Sequence, residues 1–254
     1  MGTLFDFSGK RVLITGAGAG IGKACAQAFA QQGAILCVNS ASASAETVAR
    51  DLRSKGTSCY AFQADVGSET QVQALVAQAV SCLGGLDILV NCAGIVPSGS
   101  IEETSLETWE KTLRVNTTGV FLTCKYALPY LCESHGCITN ITSLVALRGI
   151  ASRAAYSASK GAVLALSRAM AADLIHRGVR VNCVCPGTVL SPSLKQRIDA
   201  EPDPEAAYQR YVSRQPMGRL GTPEEIAAAV LYTCSQEAGF LNGVNLPVDG
   251  AGSL

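Results

Sequence analysis

The stretch "SRAAYSASKGA" (152–162) places Tyr156 and Lys160 four positions apart, with Arg153 three positions before the tyrosine. It is rich in Ala and Ser, holds no proline and reads as helix, so all three side chains would share one face. On its own such a trio is most simply a solvated helix face. The chemistry it permits is acid–base catalysis. A free phenol, with a pKa of about 10, is a poor base near neutrality, and each tenfold gain in its acidity needs about 1.4 kcal/mol. A lysine charge about 5 Å away, at an effective dielectric near 20, supplies on the order of 3 kcal/mol. The spacing therefore predicts a tyrosine made roughly a hundredfold more acidic, within the working range of a general acid–base group.

Composition narrows what such a site serves. The 254 residues are 48% hydrophobic and 16% charged, enough for a sizeable core and too little charge for disorder. Formal net charge is zero and the basic residues are scattered, which argues against a nucleic-acid or anionic-membrane surface. Asp6, Lys10 and Arg11 interrupt the N-terminus before any apolar run of signal-peptide length, and no uncharged 18-residue apolar span follows, so a cytoplasmic protein is expected. Eleven cysteines include no CxxC pair, and His135 and His176 are the only histidines, so no metal site is expected. Cys183 and Cys185 alternate on a predicted strand. The cysteines read as small buried hydrophobes kept reduced.

The elements that must position the trio alternate along the chain. Strands are predicted at 10–15, 33–39, 59–66, 86–94, 136–143, 179–187 and 243–248. Helices are predicted at 21–32, 44–56, 68–84, 102–115, 117–133, 154–177 and 222–234. Ser68 with Gln71, and Thr222 with Glu225, have capping-box spacing. Residues 188–220 read as an irregular, proline-spaced loop. The economical architecture is α/β: a single domain over 1–254 with a doubly wound parallel sheet of about seven strands and helices on both faces. Residues 188–220 would then lie over the carboxyl edge as a substrate loop.

Between the first strand and helix, "TGAGAGIG" (15–22) sets Gly16, Gly20 and Gly22 where a tight turn lets backbone approach a pyrophosphate at the helix N-terminus. The second strand ends "VNSAS", with Asn39 and Ser40 where an acid would accept from an adenosine ribose 2′-hydroxyl. Losing that acid removes the repulsion of a 2′-phosphate, and Asn39, Ser40 and Ser42 offer donors to one. No Arg or Lys stands beside them. NADP is expected in preference to NAD.

Together TGAGAGIG, Asp65, NCAG (91–94), Asn116, Ser143, YSASK (156–160) and PGTV (186–189) resemble the short-chain dehydrogenase/reductase family over about residues 8–250. The resemblance implies a Rossmann-like fold and a nicotinamide cofactor. It makes Tyr156 the proton donor or acceptor, Ser143 the substrate-oxygen partner, Lys160 the holder of the nicotinamide ribose and Asn116 part of a water relay. Asp65 and Val66 would cradle the adenine, with Ile21 beside the glycines of the turn. Asn91, Ala93 and Gly94 would line the cofactor, and Pro186, Gly187 and Val189 its nicotinamide side. Cys92 departs from the second Asn the family often has. "SRAAYSASK" with "CVCPGTVLSPSLKQRI" (183–198) is similar to a subgroup acting on small hydroxy acids: 3-hydroxybutyrate, 2-keto-3-deoxy sugar acids and a hydroxyalkyl sulfonate thioether. There, arginines matching Arg153 and Arg197 hold the substrate anion, and Arg214 is a third candidate. Relatives of this kind are usually homotetramers.

The expectation is an NAD(P)-dependent dehydrogenase or reductase exchanging a secondary alcohol and a ketone on a small anionic substrate. Two alternatives stand: a reductase of neutral or carrier-bound ketones such as 3-oxoacyl thioesters, and a nucleotide-binding protein without chemistry.

Overall fold

Seven strands in one all-parallel sheet form the centre of the molecule, in a computed structural model that describes residues 5–254. They are β1 (Arg11–Thr15), β2 (Ile35–Ser40), β3 (Cys59–Gln63), β4 (Ile88–Asn91), β5 (Cys137–Ile141), β6 (Arg180–Pro186) and β7 (Asn245–Val248), in spatial order β3-β2-β1-β4-β5-β6-β7. The order reverses between β1 and β4, the place where parallel sheets open a crevice at their carboxyl ends.

The inner strands are buried on both faces, as their unbroken apolar runs require. One face is covered by α1 (Gly20–Gln31), α2 (Ser44–Ser54) and α9 (Pro223–Cys234). The other carries α3 (Glu69–Leu83), α5 (Gly119–Glu133) and α6 (Ala154–Leu174). Side chains of β1 divide between the two cores: Val12 and Ile14 pack with α1 and α9, Leu13 with α3, α5 and α6.

Three helical expectations are revised. The helix expected from 102 starts at Leu106 as α4 (Leu106–Leu113). No break separates it from α5: a wide π-type turn, Arg114–Thr118, joins them. Ser68 makes no capping bond, because Gln71 Oε1 instead accepts from the Asp65 amide at 2.9 Å. Residues 188–220 are not irregular, since Ser191 and Asp203 cap α7 (Pro192–Asp199) and α8 (Pro204–Val212), each with proline in its first turn. Leu194, Ile198, Ala207 and Leu220 give this segment a small core of its own. Its neck is pinched where Leu190 donates to Gly221 O and Gly221 to Thr188 O, both at 2.9 Å. The Thr222–Glu225 capping box is formed.

Among the described residues all eleven cysteines are free thiols, no group of His, Cys, Asp and Glu could hold a metal, and no helix is long and apolar enough to cross a membrane.

Candidate active site

The glycine turn is shaped by close approach. A Cβ on Gly16 would lie 2.6 Å from Ala93 Cα, and one on Gly22 would lie 2.3 Å from Gly16 O. Gly20 differs: its φ is +54°, and a Cβ there would meet nothing nearer than Ser191 at 3.5 Å. The helix that starts at Gly20 has no side-chain cap and no acid in its first turn. Its free amides and positive dipole end therefore face the crevice, which fits the pyrophosphate of a dinucleotide.

At the adenosine end the donors expected of Asn39 and Ser40 are already engaged, which corrects that expectation. Asn39 is buried, and its amide donates to Phe62 O and Ala64 O, both at 3.1 Å. Ser40 Oγ donates to Ser42 O at 2.5 Å and accepts from the Ala45 amide at 3.1 Å. Only Ser42, hydrogen-bonded to Ser44 Oγ at 3.0 Å, keeps an exposed hydroxyl there. Asp65 holds Arg114 at 2.7 Å and accepts from the Gly67 amide, and the guanidinium keeps its carboxyl below the ordinary value. Val66 is buried, its side chain against Gly119. The Asn91 side chain turns away from the crevice into a buried network. It donates to Asn140 Oδ1 at 2.8 Å, accepts from Thr123 at 2.7 Å, and Asn140 continues to Ser167. At 91 only backbone is left to line a cofactor. Ala93 donates its amide to Thr15 Oγ1 at 3.3 Å, and Gly94 lines the cavity described next.

A cavity of about 540 Å³ opens above the carboxyl ends of β4, β5 and β6. Ile21, Gly94, Ser143, Tyr156, Lys160, Pro186, Gly187 and Val189 all line it. Ser143, at the end of β5, caps a short 3₁₀ turn (Leu144–Ala146) by accepting from Val145 N. Tyr156 and Lys160 rise from the first turns of α6, whose entry is clamped where Gly99 donates to Ser152 O and Ala154 to Gly99 O. The π-type turn has a positional role. Asn116, fully buried in it, accepts from the Ile95 amide at 2.8 Å and donates to Ile95 O at 2.9 Å and Ser159 Oγ at 3.0 Å. It therefore ties α5, α6 and the loop after β4 together behind Lys160.

Lys160 Nζ lies 6.0 Å from the Tyr156 ring centroid and donates to Ile141 O at 2.7 Å. Burial lowers the lysine pKa to about 8. Burial also raises that of Tyr156, against the Ser143 hydroxyl and the positive charges of Arg153 and Arg197. This corrects the expected lowering: the cost of desolvating either charge outweighs the pull of its neighbours.

The far wall is cationic. Arg153, Arg197 and Arg214 line the cavity, as does Arg148, which has no counterpart among the residues expected from the motifs although it follows Ser143 by only five positions. No Asp or Glu is among the lining residues, and no arginine of the four is in an ion pair among the described residues. Arg153 is half-buried, and burial together with Arg197 and Arg214 lowers its pKa. Two further lining residues were not expected either, Tyr211 under Arg214 and Gln215. Gln215 Nε2 donates to Thr188 Oγ1 at 2.9 Å, fastening the α7–α8 segment to the end of β6. Neither had a sequence signal.

This arrangement has a counterpart in a known family. The family model described as enoyl-(acyl carrier protein) reductase matches residues 16–252. The chain is a short-chain dehydrogenase/reductase. It is 42% identical to 2-(S)-hydroxypropyl-CoM dehydrogenase 3 of Xanthobacter autotrophicus, covering 94% of each chain. It is 40% identical to 2-keto-3-deoxy-L-fuconate dehydrogenase of Xanthomonas campestris, over 96% of this chain and 80% of that one. The ligand-free aldohexose dehydrogenase of Thermoplasma acidophilum superposes with a TM-score of 0.89 at 32% identity, covering 98% of this chain and 96% of that one. As a member of this family the chain is an oxidoreductase acting on hydroxy or keto groups with a nicotinamide cofactor.

Proposed function

We propose that this short-chain dehydrogenase/reductase exchanges a secondary alcohol and a ketone on a small hydroxy acid whose anion is held by Arg153 and Arg197, with Arg214 beside them. The observation that carries this reading is the cavity wall: arginines with no carboxylate among them, facing Tyr156. Like charges held together without a counter-ion repel, and a carboxylate or sulfonate that accepts bidentate bonds from two guanidiniums relieves that repulsion. A relative named for a keto sugar acid supports the class. The neutral alternative is supported by relatives named for neutral diols and by the structural likeness to an aldohexose dehydrogenase.

When bound, a nicotinamide dinucleotide supplies the hydride acceptor or donor and, oxidised, a positive charge. The chain's own residues do the rest. Ser143 donates to the substrate oxygen, and Tyr156 takes its proton in oxidation or returns one in reduction. Lys160, held at Ile141 O, keeps its remaining N–H groups for the nicotinamide ribose and the phenol. Asn116 holds the surrounding loops and completes the proton relay through water. Gly16, Gly20 and Gly22 seat the pyrophosphate. The domain is single, residues 188–220 are its substrate lid, and the free thiols fit a cytoplasmic location. NADP is preferred over NAD. With two of the three expected donors engaged, that preference rests on the absence of a carboxylate at 39–42 and on Ser42 near the start of α2.

A homotetramer is part of the same reading. Leu106 and Phe121 are exposed along α4 and α5, with Phe240 and Leu254 flanking β7. Sedimentation as a monomer would remove it.

The deciding test is the absorbance of reduced nicotinamide with small hydroxy acids and neutral secondary alcohols, each with NAD and NADP. Preference for hydroxy acids is expected. Equal or better turnover of neutral alcohols would refute the anionic class, and faster turnover with NAD would refute the cofactor preference.

A further inference from the structure

Arg153 and Arg148 are tethered to different segments of the cavity rim. Arg153 Nη1 is tethered to Ser98 Oγ at 2.7 Å, in the loop that follows β4. Arg148 Nη1 is tethered to Gly252 O at 2.6 Å, just beyond β7. In the sheet β4 and β7 are separated by β5 and β6, so the two anchors come from segments that leave the sheet on either side of β5. Ser143 follows β5, the strand between those two segments, and Tyr156 faces it from α6. The positive charges that lower the Arg153 pKa are those of Arg197 and Arg214. Arg148 is exposed, uses one Nη in its tether, and has no carboxylate partner among the described residues. A single anion at the Arg153 end leaves this second guanidinium unmatched.

We infer that the substrate is a dianion, with one anionic group at Arg153, Arg197 and Arg214, a second at Arg148, and the reacting carbon between them. The inference rests on the anionic-substrate reading and goes further by assigning the second charge. Arg148 becomes a specificity residue: its remaining N–H groups meet the far carboxylate while the tether to Gly252 O orients the fork. A hydroxy dicarboxylic acid, or an acid bearing a phosphate or sulfonate at its other end, satisfies this. A simple monocarboxylate does not.

The test measures binding, so the natural substrate need not be known. With saturating oxidised dinucleotide, calorimetry compares unbranched acids of matched length: butyrate with succinate, and hexanoate with adipate. In at least one pair the diacid is expected to bind about tenfold or more tightly, as a charge-assisted hydrogen bond warrants. Arg148→Gln should bring that pair to within about threefold, and Arg148→Lys, which keeps the charge, should retain part of the preference. Arg153→Gln should weaken both members of a pair.

Equal binding of monoacid and diacid in both pairs, with both still dependent on Arg153, overturns the second site and leaves the first intact. Binding of neither, or binding indifferent to Arg153, overturns both. If Arg148→Gln lowers thermal stability but leaves the diacid preference whole, Arg148 is only a clasp on residue 252 and the inference fails. The wild-type ratios and Arg148→Lys keep it testable if the glutamine variant does not fold.

Discussion

At Tyr156 and Lys160, burial works against both charged forms. The phenol is pushed above its ordinary pKa, and the ammonium falls to about 8. Oxidation needs the phenolate as base and reduction needs the phenol as acid. With the phenol raised, alcohol oxidation should climb with pH through the alkaline range, while ketone reduction stays flat across neutrality and falls only at higher pH. Above pH about 8 Lys160 loses its proton, so the KM for dinucleotide should rise there. Initial rates in both directions across pH check this; an oxidation plateau already reached at neutral pH would show that the bound state lowers the tyrosine fully. Tyr156→Phe removes the transferable proton but no dinucleotide contact. It should leave less than a tenth of wild-type turnover with cofactor affinity kept. Lys160→Ala should damage both.

Among the elements, the turn from β1 to α1 separates two uses of glycine. Gly22→Ala sets a Cβ against the Gly16 carbonyl, a backbone atom without room to move, so loss of stable fold is expected. Gly20→Ala makes only an ordinary contact with Ser191 and costs the left-handed backbone, about 1–2 kcal/mol. That variant should fold, with a modestly lower melting temperature and weaker dinucleotide binding. Thermal melts and dinucleotide titration of both variants distinguish the two cases, and equal stability of the two would contradict this reading of the turn. The strands, the glycine turn and α6 were legible because apolar runs, glycine spacing and caps are local signals. Asn39 misled because a strand residue's facing depends on its neighbours, and it turns to the β3 side. The Asn91 side chain, by the same rule, turns to Asn140 on β5 and leaves its backbone to the crevice. The π-type turn left no mark in the sequence, since the bonds Asn116 makes from it reach Ile95 and Ser159, both distant along the chain. Arg148 was visible as a residue but not as a wall of the cavity, because what brings it there is the chain's return past β7.

At the scale of the whole molecule, the cavity is assembled from parts far apart in sequence: the loop after β4, the end of β5, the start of α6, the end of β6 and the lid. The α7–α8 segment is a small unit with its own core, its neck closed by the Val189–Gly221 bridge and joined by Gln215 to Thr188. It contributes Arg197 and Arg214 to the cavity that Arg153 also lines. The wall thus draws its charge both from this segment and from the chain around the start of α6, and the proposed selectivity for an anion belongs to that assembled cavity. The measurement that separates this selectivity from the proton chemistry is kcat/KM for a small hydroxy acid and for a neutral secondary alcohol, in the wild type and in Arg153→Gln. Loss of charge-assisted bonds worth about 1.5–3 kcal/mol should lower the value for the acid by roughly ten- to a hundredfold and leave the alcohol within about twofold. Equal losses on both substrates, or no loss on either, would contradict the account.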